Sequence, residues 1–270
     1  MLNRFLSGRP FLPMLLAAFG VCAPPAFAAQ DSFGDVFWQY RASTGFDYSS
    51  GTYGAATPTE IWYVPIAVRA SKGPWSFKVA TGWLSVSGPA LLVDAGTADA
   101  ALGLRTSGSA TGMADLNFSV TYSVDSLAAH NIFLDLTARL KAPTASFAKG
   151  LGTGEWDQAV QIDLSSVFGK FMPFAFVGYK VAGRPAGFSL RNVVYGEVGA
   201  QYAWTDRIST GVMYDVRQAS IRTAETPQEL TGYVALKLSE RWSMTVYGGT
   251  GFSANSPSAG GGATLSRKWP

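Results

Sequence analysis

The chain has 270 residues, enough for one large domain or two small ones, and its mean hydropathy of +0.13 excludes a disordered tail. Charged residues make up 14%, against roughly 25% in soluble domains, while Gly numbers 30 and aromatics reach 13%, which argues against an ordinary cytosolic enzyme. The 21 Lys and Arg nearly balance the 18 Asp and Glu, and two of those cations lie in a segment read below as removed, so no basic field is left for nucleic acid.

Residues 1–28 read as a secretory signal peptide. Arg4 and Arg9 supply the positive n-region, and Phe11 to Ala23 is apolar but too short to span a bilayer. Ala26-Phe27-Ala28 then has the small-x-small form of a cleavage site, with cleavage before Ala29. The single cysteine, Cys22, falls inside this segment, and Phe19-Gly20-Val21 before it lacks the small residue that lipoprotein processing needs. The mature chain therefore has no thiol, which excludes a disulfide scaffold, a cysteine metal site and a cysteine nucleophile.

Beyond residue 28 no apolar run reaches the about 18 residues of a membrane helix. Alternation recurs instead, and it predicts about twelve strands near 35–48, 59–70, 75–87, 112–124, 130–142, 155–165, 170–182, 192–204, 206–218, 228–239, 241–252 and 260–269. In 113–124, Leu116, Phe118, Val120 and Tyr122 alternate with Asp115, Asn117, Ser119 and Thr121. In 130–141, Ile132, Leu134, Leu136, Ala138 and Leu140 alternate with Phe133, Asp135, Thr137, Arg139 and Lys141. In 156–164, Val160, Ile162 and Leu164 are set against Asp157, Gln161 and Asp163. Short connections at 71–74, 204–207 and 239–242 alternate with Gly/Pro/Ser-rich long ones at 88–111, 142–154, 183–191, 219–227 and 253–259.

Short turns on one side and long loops on the other form the pattern of an outer-membrane barrel. A soluble β-sandwich also has short alternating strands. Against it stand the almost charge-free apolar faces and the tryptophans 38, 62, 75, 83, 156, 204, 242 and 269 at strand ends, where an interfacial girdle belongs. The fold class is therefore all-β, a transmembrane antiparallel β-barrel of about twelve strands over residues 29–270. The last strand, Ala263 to Trp269, resembles the signal read by barrel assembly machinery, although Arg267 takes an apolar slot and Pro270 follows the Trp.

Several segments resemble one family. Thr137-Ala138-Arg139-Leu140-Lys141-Ala142-Pro143-Thr144, then Lys149-Gly150-Leu151-Gly152-Thr153-Gly154-Glu155-Trp156-Asp157, are similar to a conserved segment of the meta-pathway phenol-degradation-like outer-membrane proteins. Gly112 to Leu116, Leu190 to Val193, Tyr214 to Ser220 and Tyr247 to Ser253 extend the likeness over 111–269, with Ala145 where the family pattern has Gly. The resemblance implies an outer-membrane transporter associated with aromatic or other poorly soluble compounds.

Projected inward, the strands direct Gln39, Arg41, Arg69, Lys78, Asp115, Asn117, Asp135, Arg139, Asp157, Gln161, Asp163, Glu197, Gln201, Asp215, Arg217 and Lys237 to the lumen. Arg41, Arg69, Asp115, Asp135, Arg139, Asp157, Asp163, Glu197, Asp215 and Arg217 are the candidate solute path. Their mixed signs suit either a polar path or an ionic plug, since about twelve strands enclose less room than the 16–18 of general porins. The single histidine, His130, lies by a short turn with no G-x-S-x-G motif in the chain, so a lipid hydrolase lacks its partners. Gly150 to Gly154 lacks the Lys-Ser/Thr of a phosphate loop and reads as an external loop. The expected function is diffusion of small, aromatic or hydrophobic solutes across a Gram-negative outer membrane. Its partners are outer-membrane lipid, the solute and the assembly machinery, with no cofactor or metal; a structural or adhesive barrel is the alternative, and a lipid-modifying barrel enzyme ranks behind it.

Overall fold

The computed structural model describes residues 37–89, 91–94, 99–102 and 108–270; the expected signal peptide lies outside them. The strands are β1 (Gln39–Gly51), β2 (Thr59–Lys72), β3 (Trp75–Gly88), β4 (Leu91–Asp94), β5 (Asp99–Leu102), β6 (Gly108–Met113), β7 (Leu116–Val124) and β8 (Ile132–Ala142). They continue with β9 (Asp157–Ser166), β10 (Phe171–Val181), β11 (Val193–Ala203), β12 (Ile208–Arg217), β13 (Gln228–Lys237), β14 (Trp242–Gly251) and β15 (Ala259–Trp269). Each wall strand pairs antiparallel with its chain neighbours, and β1 closes on β15 from Tyr40↔Trp269 to Ser50↔Ala259. Because β6 and β7 share one place beside β3, the closed sheet has 12 positions around its wall. Closure pairs the wall strands from β1 round to β15 on both sides, the condition for a sheet in lipid, while β6 pairs with β3 alone among the described strands.

The twelve expected strands match the wall, with one difference. Segment 88–111, expected as a loop, contains the hairpin β4–β5 and the outer strand β6. Its Gly108-Ser109-Ala110-Thr111-Gly112 run has no large apolar side chains, so a period of two leaves no trace there. Between β6 and β7 the register slips: Trp83 pairs Met113, but Ala80 pairs Asn117. Two residues of β3 thus face three, a β-bulge, and both Ala114 and Asp115 are buried on the inner side. The Ala114 amide donates to the Gly82 carbonyl at 2.8 Å, and the Thr81 hydroxyl donates to the Ala114 carbonyl at 3.0 Å.

One end of the barrel carries tight connections, among them a 3₁₀ turn at Asp125–His130, together with the start of β1 and the end of β15. The other end carries the longer connections 52–58, 89–107, 143–156, 182–192, 218–227 and 252–258. Between the ends every wall strand presents exposed aliphatic or aromatic side chains outward, such as Val79, Phe118, Leu136, Ile162, Val177, Val198, Val212, Val234 and Val246. Apolar exposure continuous around a whole barrel would be an aggregation surface in water and is the expected face toward lipid. Outward charges on the strands, Glu60, Lys72 and Arg267, stand near strand ends, and Arg267 lies 5.5 Å from the centre of the Trp242 ring. Exposed aromatics flank the band, with Trp38, Trp75, Trp204 and Trp242 at the short-turn end and Trp62 and Trp156 toward the loops.

The lumen as candidate functional site

Alternation fixes what enters the lumen: one residue in two on each strand, at its buried parity. The lining is not uniformly polar. Phe174, Met213, Tyr233, Ala235 and Tyr247 form one buried apolar cluster on β10 to β14. Four inward rings face a glycine directly across the ladder: Phe174 and Gly199, Tyr195 and Gly178, Tyr233 and Gly211, Tyr247 and Gly262. A Cβ at any of those glycines would collide with the ring. The rings therefore lie along the wall instead of projecting to the axis, which keeps the lumen from being filled by them.

A second apolar cluster forms where a loop folds inward. Leu151 is buried against Ile61, Tyr63, Leu84 and Val86, all inner-face residues of β2 and β3, together with Ala145 and Tyr53. The Tyr53 hydroxyl shares a 2.7 Å hydrogen bond with Ser49, and burial pushes it up to about 12, so it stays protonated at physiological pH. Polar anchors hold the 143–156 loop from below. Lys141 reaches Asp157 at 2.8 Å and Asp115 at 3.4 Å and donates to the Thr153 hydroxyl at 2.8 Å. Asp115 accepts the Ala145 amide at 2.8 Å, and Asp157 accepts the Gly183 amide at 2.7 Å, tying in the next long loop. Asp115 reaches this point at the inward parity it shares with Asn117 and Ser119.

Two more groups complete the ionic lining. Arg217 pairs with Asp215 at 2.9 Å and with Glu229, and Glu197, Asp215 and Glu229 stand opposite one another in turn across β11, β12 and β13. Lower in the barrel, Arg139 donates to Gln161 at 3.0 Å and Gln161 to Asp163 at 2.6 Å, with Asp135 registered opposite Asp163. Arg41 and Arg69 stand opposite each other on β1 and β2.

All ten candidate residues thus occupy inward parity, Asp115 at the bulge among them. They fall into separate groups: Asp115 with Asp157, Asp215 with Arg217 and Glu197, Asp135 with Arg139 and Asp163, and Arg41 with Arg69. Residues outside that set matter as much. Lys141 shares the parity of Asp135 and Arg139, and Lys180, Glu229 and Lys268 share that of their own strands, so alternation alone could have found them. That Lys141 joins two strands and a loop needed the fold.

The fold and lining define a class, a closed transmembrane β-barrel with a charged lumen. No family model matches the chain, and no curated protein matches its sequence. Among solved structures it is similar to an outer-membrane channel from Pseudomonas putida F1, with TM-score 0.67 and 13% identity over 87% of this chain and 98% of that one. It is also similar to the NanC porin, with TM-score 0.55 and 8% identity over 85% of this chain and 99% of that one. The fold is that of an outer-membrane barrel.

Proposed function

We propose that the protein is an outer-membrane channel through which small aromatic or hydrophobic solutes diffuse into the periplasm. The observation that carries this reading is the arrangement of the lining. Aromatic side chains are laid against glycine instead of filling the bore, and the half-buried inward side chains, Arg41, Ser43, Arg69, Ser119, Asp135, Arg139, Phe176 and Tyr195 among them, line space that water reaches. An outer-membrane channel of the same fold supports it, as does the resemblance of the loop and strand motifs to the phenol-degradation-like family, to which we assign the chain on that basis.

Residues 1–28 direct export and are cleaved, the assembly machinery inserts residues 29–270, and lipid covers the outward band. Catalysis has no part in this reading. His130, the base a barrel hydrolase would need, stands exposed at the end of the 3₁₀ turn by the short-turn end. The test is uptake of a labelled aromatic solute by a deletion strain and its complemented parent, beside conductance of the purified protein in planar bilayers. Slower uptake in the deletion strain with discrete conductance steps is the expected result. Equal uptake and no conductance would assign a structural or adhesive barrel.

A further inference from the structure

Following one row of directly opposed residues from strand to strand around the lumen meets a cation on six strands. Lys268 of β15 stands opposite Arg41 of β1, Arg41 opposite Arg69 of β2, and Arg69 opposite Lys78 of β3. Lys78 faces Ser119 of β7, Ser119 faces Arg139 of β8, Arg139 faces Ala159 of β9, and Ala159 faces Lys180 of β10. Every member is at the inward parity of its strand. Lys268 is next to last in β15, at the short-turn end, and Lys180 is next to last in β10, at the long-loop end. Because barrel strands tilt against the axis, a row at right angles to them winds helically. This one climbs the height of the wall.

Like charges directly opposite in a ladder destabilise it, and here four cations stand on four successive strands. The carboxylates near the row are fewer: Asp163 and Asp135, which stand opposite each other on β9 and β8, Asp157 two residues from Ala159 and paired with Lys141, and Glu240, which pairs with Lys237 at the mouth beside Arg41 and Lys268. Accessibility separates the signs further. Arg41, Arg69, Arg139 and Lys268 are part-exposed, whereas among the described strand residues Asp135 is the one lumen-facing carboxylate that is not buried. The acidic row Glu197, Asp215, Glu229 lies buried in the remaining wall. What a solute in the lumen meets is the part-exposed Lys268, Arg41, Arg69 and Arg139 of this row, with the part-exposed rings of Phe176 and Tyr195 further along the wall.

We propose, resting on the channel reading above, that this spiral is an anion path and that the favoured solute is a small organic carboxylate, an aromatic one such as benzoate. Successive row members lie about 5 Å apart at their Cα atoms, so a carboxylate can pass between Lys268, Arg41 and Arg69 without leaving their field, with Arg139 three steps further along the row, and guanidinium groups bind it in bidentate fashion. The ring travels against Phe176 and Tyr195, the part-exposed inward rings of β10 and β11.

The test is the reversal potential of the purified full chain in a planar bilayer under a KCl gradient, with liposome swelling in benzoate, neutral benzamide and benzylammonium. Anion selectivity of about twofold or more is expected, with swelling fastest in benzoate. Arg41→Gln, Arg69→Gln and Arg139→Gln, each checked for the heat-modifiable folded band, should move selectivity toward unity. A conducting channel that prefers potassium or benzylammonium, or one whose selectivity none of the three variants moves, overturns the anion path and leaves the channel reading standing. Absence of both conductance and swelling overturns the two together.

Discussion

Single side chains in this barrel have outcomes that follow from which face they occupy. Gly211 is under the Tyr233 ring, whereas a Cβ at Gly232, the outward neighbour of Tyr233, meets its nearest atom, the Gly211 carbonyl oxygen, at 4.0 Å. Gly211→Ala should therefore cost about 1–3 kcal/mol by overpacking, and Gly232→Ala should be near neutral. Urea midpoints of the two in detergent check this, and Tyr233→Ala added to Gly211→Ala should cost less than the two separate losses combined, since the ring is what the methyl strikes. Lys141→Met removes the cation between Asp115 and Asp157, which are 1% and 5% exposed. Leaving buried carboxylates without it should cost about 3–5 kcal/mol, measured the same way. On the opposite face, Val212→Arg at the middle of β12 should cost about 2–4 kcal/mol and weaken the heat-modifiable band.

At the scale of elements, the 143–156 loop is held by apolar contacts of Leu151 and by polar anchors to Asp115 and Lys141, while the barrel ladder does not depend on it. Leu151→Ala should cost about 2–5 kcal/mol within that contact, enough to release the loop from the inner face. The expected result is a larger unitary conductance with the folded band retained; an unchanged conductance in folded protein would show that the loop does not narrow the bore. The sequence motif Lys149 to Asp157 marked this segment without saying where it packs. Strands such as β8 and β9 were legible because each carries large apolar residues at one parity and ions at the other, and that alternation yields both the strand and its inner face. The bulge at Ala114 and Asp115 was not, since it is set by how β6 and β7 each align on β3. The charged row was not either: alternation tells which way Arg41 and Arg69 point, but only the register tells that they are neighbours.

For the molecule as a whole, orientation follows from closure and chain length. Twelve wall positions return the chain to the end where it began, so the start of β1 and the end of β15 share the short-turn end. Outer-membrane barrels place short turns in the periplasm and long loops outside, and a chain delivered from the periplasm leaves its termini there. The connections 143–156 and 218–227 are then extracellular. Ser146 and Thr223 are exposed within them, and Asp206 is exposed at the opposite end. Because the one cysteine belongs to the segment expected to be cleaved, single cysteines can be placed on a background without other thiols. A membrane-impermeant maleimide added to intact cells should label Ser146→Cys and Thr223→Cys and leave Asp206→Cys unlabelled until the outer membrane is permeabilised. Labelling of Asp206→Cys on intact cells, with the other two protected, would invert the barrel and with it the direction in which the basic row climbs.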